Sequence, residues 1–154
     1  MNRRDFCYTE CTKKALDLCF KAHKDQLDKS GLPYVFHPFH LAEQMDGEDA
    51  VCTALLHDVM EDSDYTEENL RNAGFSEEIL EALKLLTHEE GVPYMEYIRK
   101  LSKNPLARAV KLADLRHNSD LNRLETITEW DLKRARKYAD ARAYLEQIIL
   151  EENQ

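Results

Sequence analysis

The feature that most constrains the fold of this chain is an apolar stretch with two polar residues inside it. Residues 50–60 carry apolar side chains on every face of a helix, which predicts a buried helix, and His57 and Asp58 lie within it. Burying a charge without a partner is costly, so these residues need a cation or hydrogen-bond partners. Two acids follow one helical turn later on roughly the same side, Glu61 and Asp62. The alternative is a helix end that emerges into solvent with both acids hydrated.

Length and composition predict one ordinary globular domain. The 154 residues suffice to bury roughly two thirds of the unfolded surface, and we expect a single domain over residues 1–154. No apolar run of about 18 residues is present, so no membrane span is expected, and the first residues lack the apolar region of a signal peptide. The sequence therefore predicts a cytoplasmic protein. Its net charge of −9 argues against nucleic-acid binding, which needs a basic surface.

Apolar residues at helical spacing, separated by short breakers, predict an all-α fold without strands. Asn104-Pro105 is a strong helix start because it combines a capping side chain with proline at the first position. On the last helix, Trp130 and Leu132 are among the residues expected to be available for packing. The predicted helices cover residues of about 6–28, 38–45, 48–61, 66–74, 76–86, 93–101, 105–121 and 128–150.

Polar residues from three segments predict a metal site. Asp114 shares a helix ridge with an apolar, core-directed residue, and His37 directly precedes a proline at a helix entrance. With His57 and Asp58 they form a set of two imidazoles and two carboxylates, which suits Mn, Fe or Zn with positions left open for water and substrate. Singly, each residue is more often a satisfied core or surface residue, but jointly they favour a metal. The other histidines are expected to be structural or exposed: His23, His40, His88 and His117.

The charge distribution points to an anionic small molecule. Residues 99–137 contain more Lys and Arg than Asp and Glu, which can concentrate an anion at a site. Candidates for holding phosphate charge are Lys111, Arg116 and Arg123. Solvated helix faces explain most of this basic excess equally well. A divalent ion beside such a site lowers the pKa of bound water and polarises a phosphoryl oxygen.

Three segments resemble, in order, the motifs of HD-domain metal-dependent phosphohydrolases. AHKDQLDKSGLPYVFHP of residues 22–38, ALLHDVMED of 54–62 and VKLADLRHN of 110–118 are similar to the hydrolase domain of RelA/SpoT-type proteins and of small stand-alone alarmone (ppGpp) hydrolases. The resemblance spans most of the chain and implies a compact helical bundle. It covers the hydrolase half alone, so we expect hydrolysis and not synthesis of the alarmone.

The resemblance also implies roles for particular residues. It implies four ligands of one metal ion, usually Mn²⁺: His37, His57, Asp58 and Asp114. It implies two acids that orient or activate the attacking water: Glu61 and Asp62. It implies three substrate contacts: Lys29, Tyr34 and Asn118. The implied substrate is a small phosphorylated nucleotide, guanosine 3′,5′-bis(diphosphate), which loses its 3′-diphosphate.

Three positions depart from the family pattern. The chain has Asp25 where the family has glycine, Asp28 where it has a basic residue implicated in contacting guanine, and Leu121 where threonine is common. We therefore expect weaker selectivity for the base. Two alternatives stay open: an HD phosphohydrolase acting on another nucleotide or phosphate ester, and a non-catalytic HD module that senses a nucleotide. The intact acids Glu61 and Asp62 favour an enzyme, since a sensor has no need to activate water.

Overall fold

The computed structural model describes residues 8–154, and these residues form the predicted all-α fold. Within them, no strand occurs, and an isolated antiparallel bridge joins Leu27 to Pro33. None of the helices in this range has the length and apolar character needed to cross a bilayer. The helices are α1 (Glu10–His23), α2 (Phe36–Glu43), α3 (Glu48–Leu56), α4 (Val59–Asp62), α5 (Glu67–Asn72), α6 (Glu77–Leu86), α7 (Tyr94–Leu101), α8 (Pro105–Asn118), a 3₁₀ turn (Leu121–Arg123) and α9 (Glu129–Glu152).

Helix α3 is the centre of the core. Every residue from Val51 to Leu56 is buried, as the apolar stretch predicted, and the helix packs against α1, α2, α6 and α8. Fully burying a side chain such as Leu55 contributes about 1.5–3 kcal/mol. Because α3 ends inside this core, the next residue, His57, is delivered into the interior and is itself buried. The assignment of residues 1–154 to one domain stays a prediction, which the hydrophobic cluster around α3 supports.

Side-chain caps begin several of the helices. Ser76 and Asn104 accept hydrogen bonds from backbone N–H groups in the first turns of α6 and α8, and Pro105 occupies the first position of α8, as predicted. Thr66 forms a full capping box with Asn69, which stands three residues later, where Glu or Gln is usual. The Asn69 side chain reaches the same N–H group, so it replaces the longer residue.

The predicted helix over residues 48–61 is wrong as a single element, because the chain breaks between α3 and α4. His57 turns its ring back on the helix, and its Nδ1 lies 2.6 Å from the Ala54 carbonyl oxygen. Asp58 then leaves helical geometry with φ −109° and ψ 2°. The break separates the two acids from α3 and places them on α4, a helix of one turn.

Other boundaries also differ from the prediction. Helix α1 ends at His23 and not at residue 28, because the following segment closes a turn in which the Asp28 N–H donates to the Leu32 carbonyl at 2.8 Å. The predicted start of this helix, at residue 6, lies outside the described residues. Helix α2 begins at Phe36, so His37 lies within its first turn. Helix α8 ends at Asn118, three residues earlier than predicted.

Helix α9 packs through its C-terminal half. Its buried residues are Ala141 and Leu145, whereas Trp130 is 57% exposed and Leu132 44% exposed. Trp130 and Leu132 were expected to be available for packing, but they take no part in the core, because the first turns of α9 bury no residue.

The far end of α9 is tied to α8 by a buried arginine. The Arg108 guanidinium donates to the Ser102 carbonyl at 2.9 Å and to both carboxylate oxygens of Glu152. Arg108 is buried, while the Glu152 side chain is 54% exposed.

We expect Arg108→Ala to lower the free energy of unfolding by about 2–3 kcal/mol, because it leaves a buried carbonyl and a charged partner unpaired. Glu152→Ala should cost less than about 1 kcal/mol, because exposed ion pairs contribute little. Urea denaturation of both variants measures the difference. Equal losses would show that the ion pair, and not the buried hydrogen bond, fixes this end of the helix.

Candidate metal centre

The four predicted ligands come together from three segments of the fold. His37 lies on α2, His57 and Asp58 lie at the α3–α4 break, and Asp114 lies on α8. One ligand atom each from His37, His57 and Asp58 lies within 4.8 Å of the other two. Asp114 Oδ1 lies 2.9 Å from His37 Nε2 and 3.6 Å from His57 Nε2. Asp58 is half-buried and the other three residues are buried.

The chemistry of His57 fits a bound cation. A carbonyl oxygen can only accept, so the 2.6 Å contact with Ala54 assigns one proton to His57 Nδ1 and leaves Nε2 to take either a second proton or a metal ion. That Nε2 lies 3.0 Å from Asp58 Oδ2 but forms no well-aligned hydrogen bond with any residue of 8–154. A nitrogen lone pair facing carboxylate oxygens is repulsive unless a cation is shared between them. The second ring nitrogen bound to a backbone carbonyl is the usual arrangement of a metal-binding imidazole.

The pKa shifts show that this cluster favours positive charge. Burial would lower the pKa of His57, but the Asp58 and Asp114 carboxylates outweigh it and raise that pKa well above its ordinary value. Burial would likewise raise the pKa of Asp114, yet Lys111 and the imidazoles hold it well below its usual range. Asp58 behaves in the same way, with its pKa lowered mainly by His57 against the effect of burial. Both carboxylates are thus ionised at neutral pH, as metal ligands must be.

Further hydrogen bonds orient the candidate ligands. Lys111 Nζ donates to Asp114 Oδ2 at 2.9 Å, and Asn118 Nδ2 donates to Asp114 Oδ1 at 2.8 Å. The Tyr34 hydroxyl donates to the Asp58 carboxylate. Burial raises the pKa of Tyr34, so this hydroxyl keeps its proton and acts as the donor. Partners of this kind hold ligating side chains in place.

His117 takes part in the cluster more closely than the sequence suggested. Its ring stacks on His37 with centroids 4.9 Å apart, and the two Nδ1 atoms lie 2.6 Å apart. Burial, together with Arg123, lowers the pKa of His117 to about 4, so it is neutral and can share one proton with His37. Its position three residues after Asp114, on the same helix face, was the available signal. His40 and His88 are exposed and His23 is buried, as expected.

The two acids lie at the rim of the cluster. Glu61 Oε1 accepts from the His88 backbone N–H at 2.8 Å. Glu61 also lines a cavity of about 200 Å³, hereafter the smaller cavity. Its other lining residues include Asp58, Lys111 and Lys137. Partial burial raises the pKa of both acids, and the nearby Asp58 charge adds to the effect. Glu61 and Asp62 are exposed residues, so the helix end does emerge into solvent while Glu61 still faces the cluster.

A larger cavity of about 270 Å³ reaches the cluster at His37. The three predicted substrate contacts line it: Lys29, Tyr34 and Asn118. Asp28 lines it too, but its Oδ1 is held by the backbone N–H groups of Ser30 and Leu32, at 2.8 and 3.0 Å. Its Oδ2 lies 3.6 Å from Arg123 Nη2. The residue that departs from the family pattern therefore shapes this loop and pairs with a cation of the cavity.

Sequence reasoning missed the cations that α9 supplies. Arg134 lines the larger cavity beside Lys29, whose Nζ lies 3.4 Å from the centre of the Trp130 ring. Neither cation has a carboxylate oxygen within 4.0 Å among residues 8–154. The available signal was the group of basic residues at 133–137, which belongs to the basic excess of residues 99–137. Lys137 supplies a further cation to the smaller cavity.

Of the three residues expected to hold phosphate charge, two line a cavity beside the cluster and one does not. Lys111 lines the smaller cavity and Arg123 the larger one. The expectation for Arg116 is not supported, because its guanidinium pairs with Glu146 at 3.2 Å on the surface and lines neither cavity.

Comparison with known proteins identifies relatives of this chain. No family model matches it. It is 37% identical over 112 residues to the guanosine-3′,5′-bis(diphosphate) 3′-pyrophosphohydrolase of Haemophilus influenzae, a match covering 63% of this chain and 16% of that protein. It is 30% identical over 139 residues to the guanosine-3′,5′-bis(diphosphate) 3′-pyrophosphohydrolase MESH1 of Danio rerio, covering 81% of this chain and 76% of MESH1. The chain thus spans only a small part of the first relative and most of the second.

A solved structure has the same fold. It is that of a metazoan ortholog of SpoT that hydrolyzes ppGpp and plays a role in starvation responses, and it matches with a TM-score of 0.71 and 22% identity, covering 95% of this chain and 97% of that one. The helical architecture, the converging histidines and aspartates and the extent of the match to MESH1 agree with one another. The chain belongs to the RelA/SpoT-type HD hydrolases, the family that includes MESH1.

Proposed function

We propose that this chain is a metal-dependent pyrophosphohydrolase that removes the 3′-diphosphate from guanosine 3′,5′-bis(diphosphate). The observation that carries this proposal is that the His-Asp cluster borders both cavities, through His37 in the larger one and through His57, Asp58 and Asp114 in the smaller one. A nucleotide in the larger cavity would bring its 3′ end to the cluster, with the smaller cavity open to the departing diphosphate. The activities of the Haemophilus and Danio relatives support the same substrate.

The ion is proposed to be Mn²⁺, held by His37, His57, Asp58 and Asp114. Two imidazoles and two carboxylates suit a first-row divalent ion, and the family resemblance favours manganese. When bound, such an ion would lower the pKa of water and polarise a phosphoryl oxygen.

Glu61 and Asp62 are proposed to orient and deprotonate the attacking water. The His88 N–H engages Glu61 Oε1, which leaves Oε2 to take the proton. The raised pKa of both acids supports this role, because a general base works best when its pKa approaches the operating pH. Asp62 lines neither cavity, so its part is proposed to be the orientation of Glu61 and of the water.

The cations are proposed to hold the phosphates at either side of the cluster. Lys29, Tyr34 and Asn118 contact the nucleotide in the larger cavity, where Lys29 and Arg134 leave positive charge unpaired by carboxylates of residues 8–154. Lys111 and Lys137 face the diphosphate in the smaller cavity. The cytoplasmic location expected from the sequence stays a prediction.

The purified protein is expected to hold about one divalent ion per chain, and His57→Ala should lose it, because three ligands bind far more weakly than four. Elemental analysis by plasma mass spectrometry measures the content. His40→Ala is the matched control, since His40 is an exposed imidazole on the same helix as His37. Equal metal content in wild type and His57→Ala would remove His57 from the ligand set.

Glu61→Gln should keep the metal and lose turnover by at least about 100-fold, because the amide cannot take a proton from water. Steady-state hydrolysis of ppGpp with added Mn²⁺, together with metal analysis, separates the two effects. Glu90→Gln, on an exposed glutamate two residues after His88, is the control and should leave both unchanged. If Glu61→Gln strips the metal, Glu61 is a ligand and its proposed role as a base is wrong.

Asp28→Asn removes a negative charge from the larger cavity while its side-chain oxygen still accepts from Ser30 and Leu32. We expect the KM for ppGpp to fall about two- to fivefold with kcat unchanged, because phosphate repulsion is reduced and Arg123 is released. Asp25→Asn, on an exposed residue of the same segment, is the control.

A specific observation favours a second candidate, hydrolysis of another phosphorylated nucleotide. Asp28 lines the larger cavity in place of the basic residue that the family uses near the base. Steady-state comparison of ppGpp with its adenosine counterpart tests it, and we expect weak discrimination between them. Cleavage of another phosphate ester without any turnover of ppGpp would replace the proposed substrate.

A further inference from the structure

The acidic pair, Glu61 and Asp62, lies on a helix that is too short to be stable by itself. Helix α4 runs only from Val59 to Asp62, a single turn. One turn of helix is not stable by itself, because nucleation costs more than its few hydrogen bonds return. The position of Glu61 and Asp62 therefore depends on contacts that α4 makes with the rest of the fold.

Two side chains from the segment at and after the end of α1 hold α4 at its two ends. At the beginning, the Tyr34 hydroxyl donates to the Asp58 carboxylate. At the end, Gln26 Nε2 donates to the Asp62 carbonyl oxygen at 2.8 Å, across 36 residues of sequence. The second contact acts on the backbone, so it sets the position of Asp62 without occupying its carboxylate.

The Gln26 side chain is itself fixed in one orientation. Its Nε2 also donates to the Ala22 carbonyl at 3.2 Å, and its Oε1 lies 2.9 Å from His23 Nδ1. Two carbonyl partners identify the amide nitrogen, which makes Oε1 the acceptor and His23 Nδ1 the donor. His23 is fully buried, and its ring lies 5.0 Å from that of Tyr34. Neither ring nor amide can turn without breaking these contacts.

We propose that Gln26 is a positioning residue for Glu61 and Asp62. Its amide, oriented by the buried His23, holds the Asp62 carbonyl and thereby places both acids beside the His-Asp cluster. This inference rests on the proposed function, because it assigns Gln26 a part in the same hydrolysis. Gln26 lines neither cavity, so it acts on turnover through α4 and not by contact with the nucleotide.

Gln26→Leu should lower kcat for ppGpp about 10- to 100-fold, the range typical of residues that orient reactive groups, while KM and metal content stay at wild-type values. Gln44→Leu is the matched control, because Gln44 is an exposed glutamine whose Nε2 donates to the His40 carbonyl at 3.0 Å. The control should keep its kcat. An equal fall in both variants, or an effect confined to KM, would overturn the inference.

A mutant cycle tests whether Gln26 works through the two acids that it is proposed to place. On the residual activity of a Glu61→Gln, Asp62→Asn double variant, adding Gln26→Leu should lower kcat by less than about threefold, because both groups that Gln26 positions have already been removed. Two independent, multiplying losses would show that Gln26 acts elsewhere and would overturn the inference.

Hydrogen exchange gives a readout that needs no substrate. Gln26→Leu should accelerate amide exchange in residues 59–63 relative to wild type, and Gln44→Leu should not. Unchanged exchange together with unchanged kcat would overturn the inference. A wild-type protein that fails to hydrolyse ppGpp, but whose Gln26→Leu variant shows faster exchange in these residues, would overturn the proposed substrate and leave the positioning contact standing.

Discussion

Negative charge held inside the protein is the constraint on which the rest of this structure depends. Asp58 and Asp114 place ionised carboxylates beside two imidazoles, and His57 Nε2 faces both of them. Such a set is stable only with a shared cation or with strong donors around it. Lys111 and Tyr34 supply part of that compensation from α8 and from the loop before α2. The helices therefore meet where this charge has to be balanced.

The break between α3 and α4 separates a buried core helix from a short helix that carries accessible acids. Helix α3 is fixed by burial on all sides, so its last residues cannot adjust. By turning its ring back to the Ala54 carbonyl, His57 obtains both a defined tautomer and a fixed orientation. The same break releases Glu61 toward the rim, where it borders the smaller cavity. One local hydrogen bond thus separates the buried candidate ligands from the acids that remain accessible.

Basic side chains line both cavities of this acidic protein. Although the net charge is −9, Lys111, Lys137 and Arg134 line the two cavities that border the cluster. Asp28 opposes this pattern, since it lies in the larger cavity and pairs with Arg123 at 3.6 Å. Its hydrogen bonds to two backbone N–H groups give it a structural reason to be there. Asp28 therefore adds negative charge to this cavity and fixes the conformation of the loop that lines it.

The all-α fold, the buried α3 and the grouping of His37, His57, Asp58 and Asp114 could be predicted from the sequence alone. Each follows from a local pattern: apolar residues at helical spacing, or polar residues set among apolar ones. The roles of these residues came from the family resemblance and remain proposals. Only the tertiary structure decided where α3 breaks, that Gln26 reaches the Asp62 carbonyl and that Trp130 stays exposed beside the larger cavity. The last two outcomes depend on contacts between residues far apart in the chain, whose geometry no local pattern encodes, and the first depends on the burial of His57 in a core that several helices build.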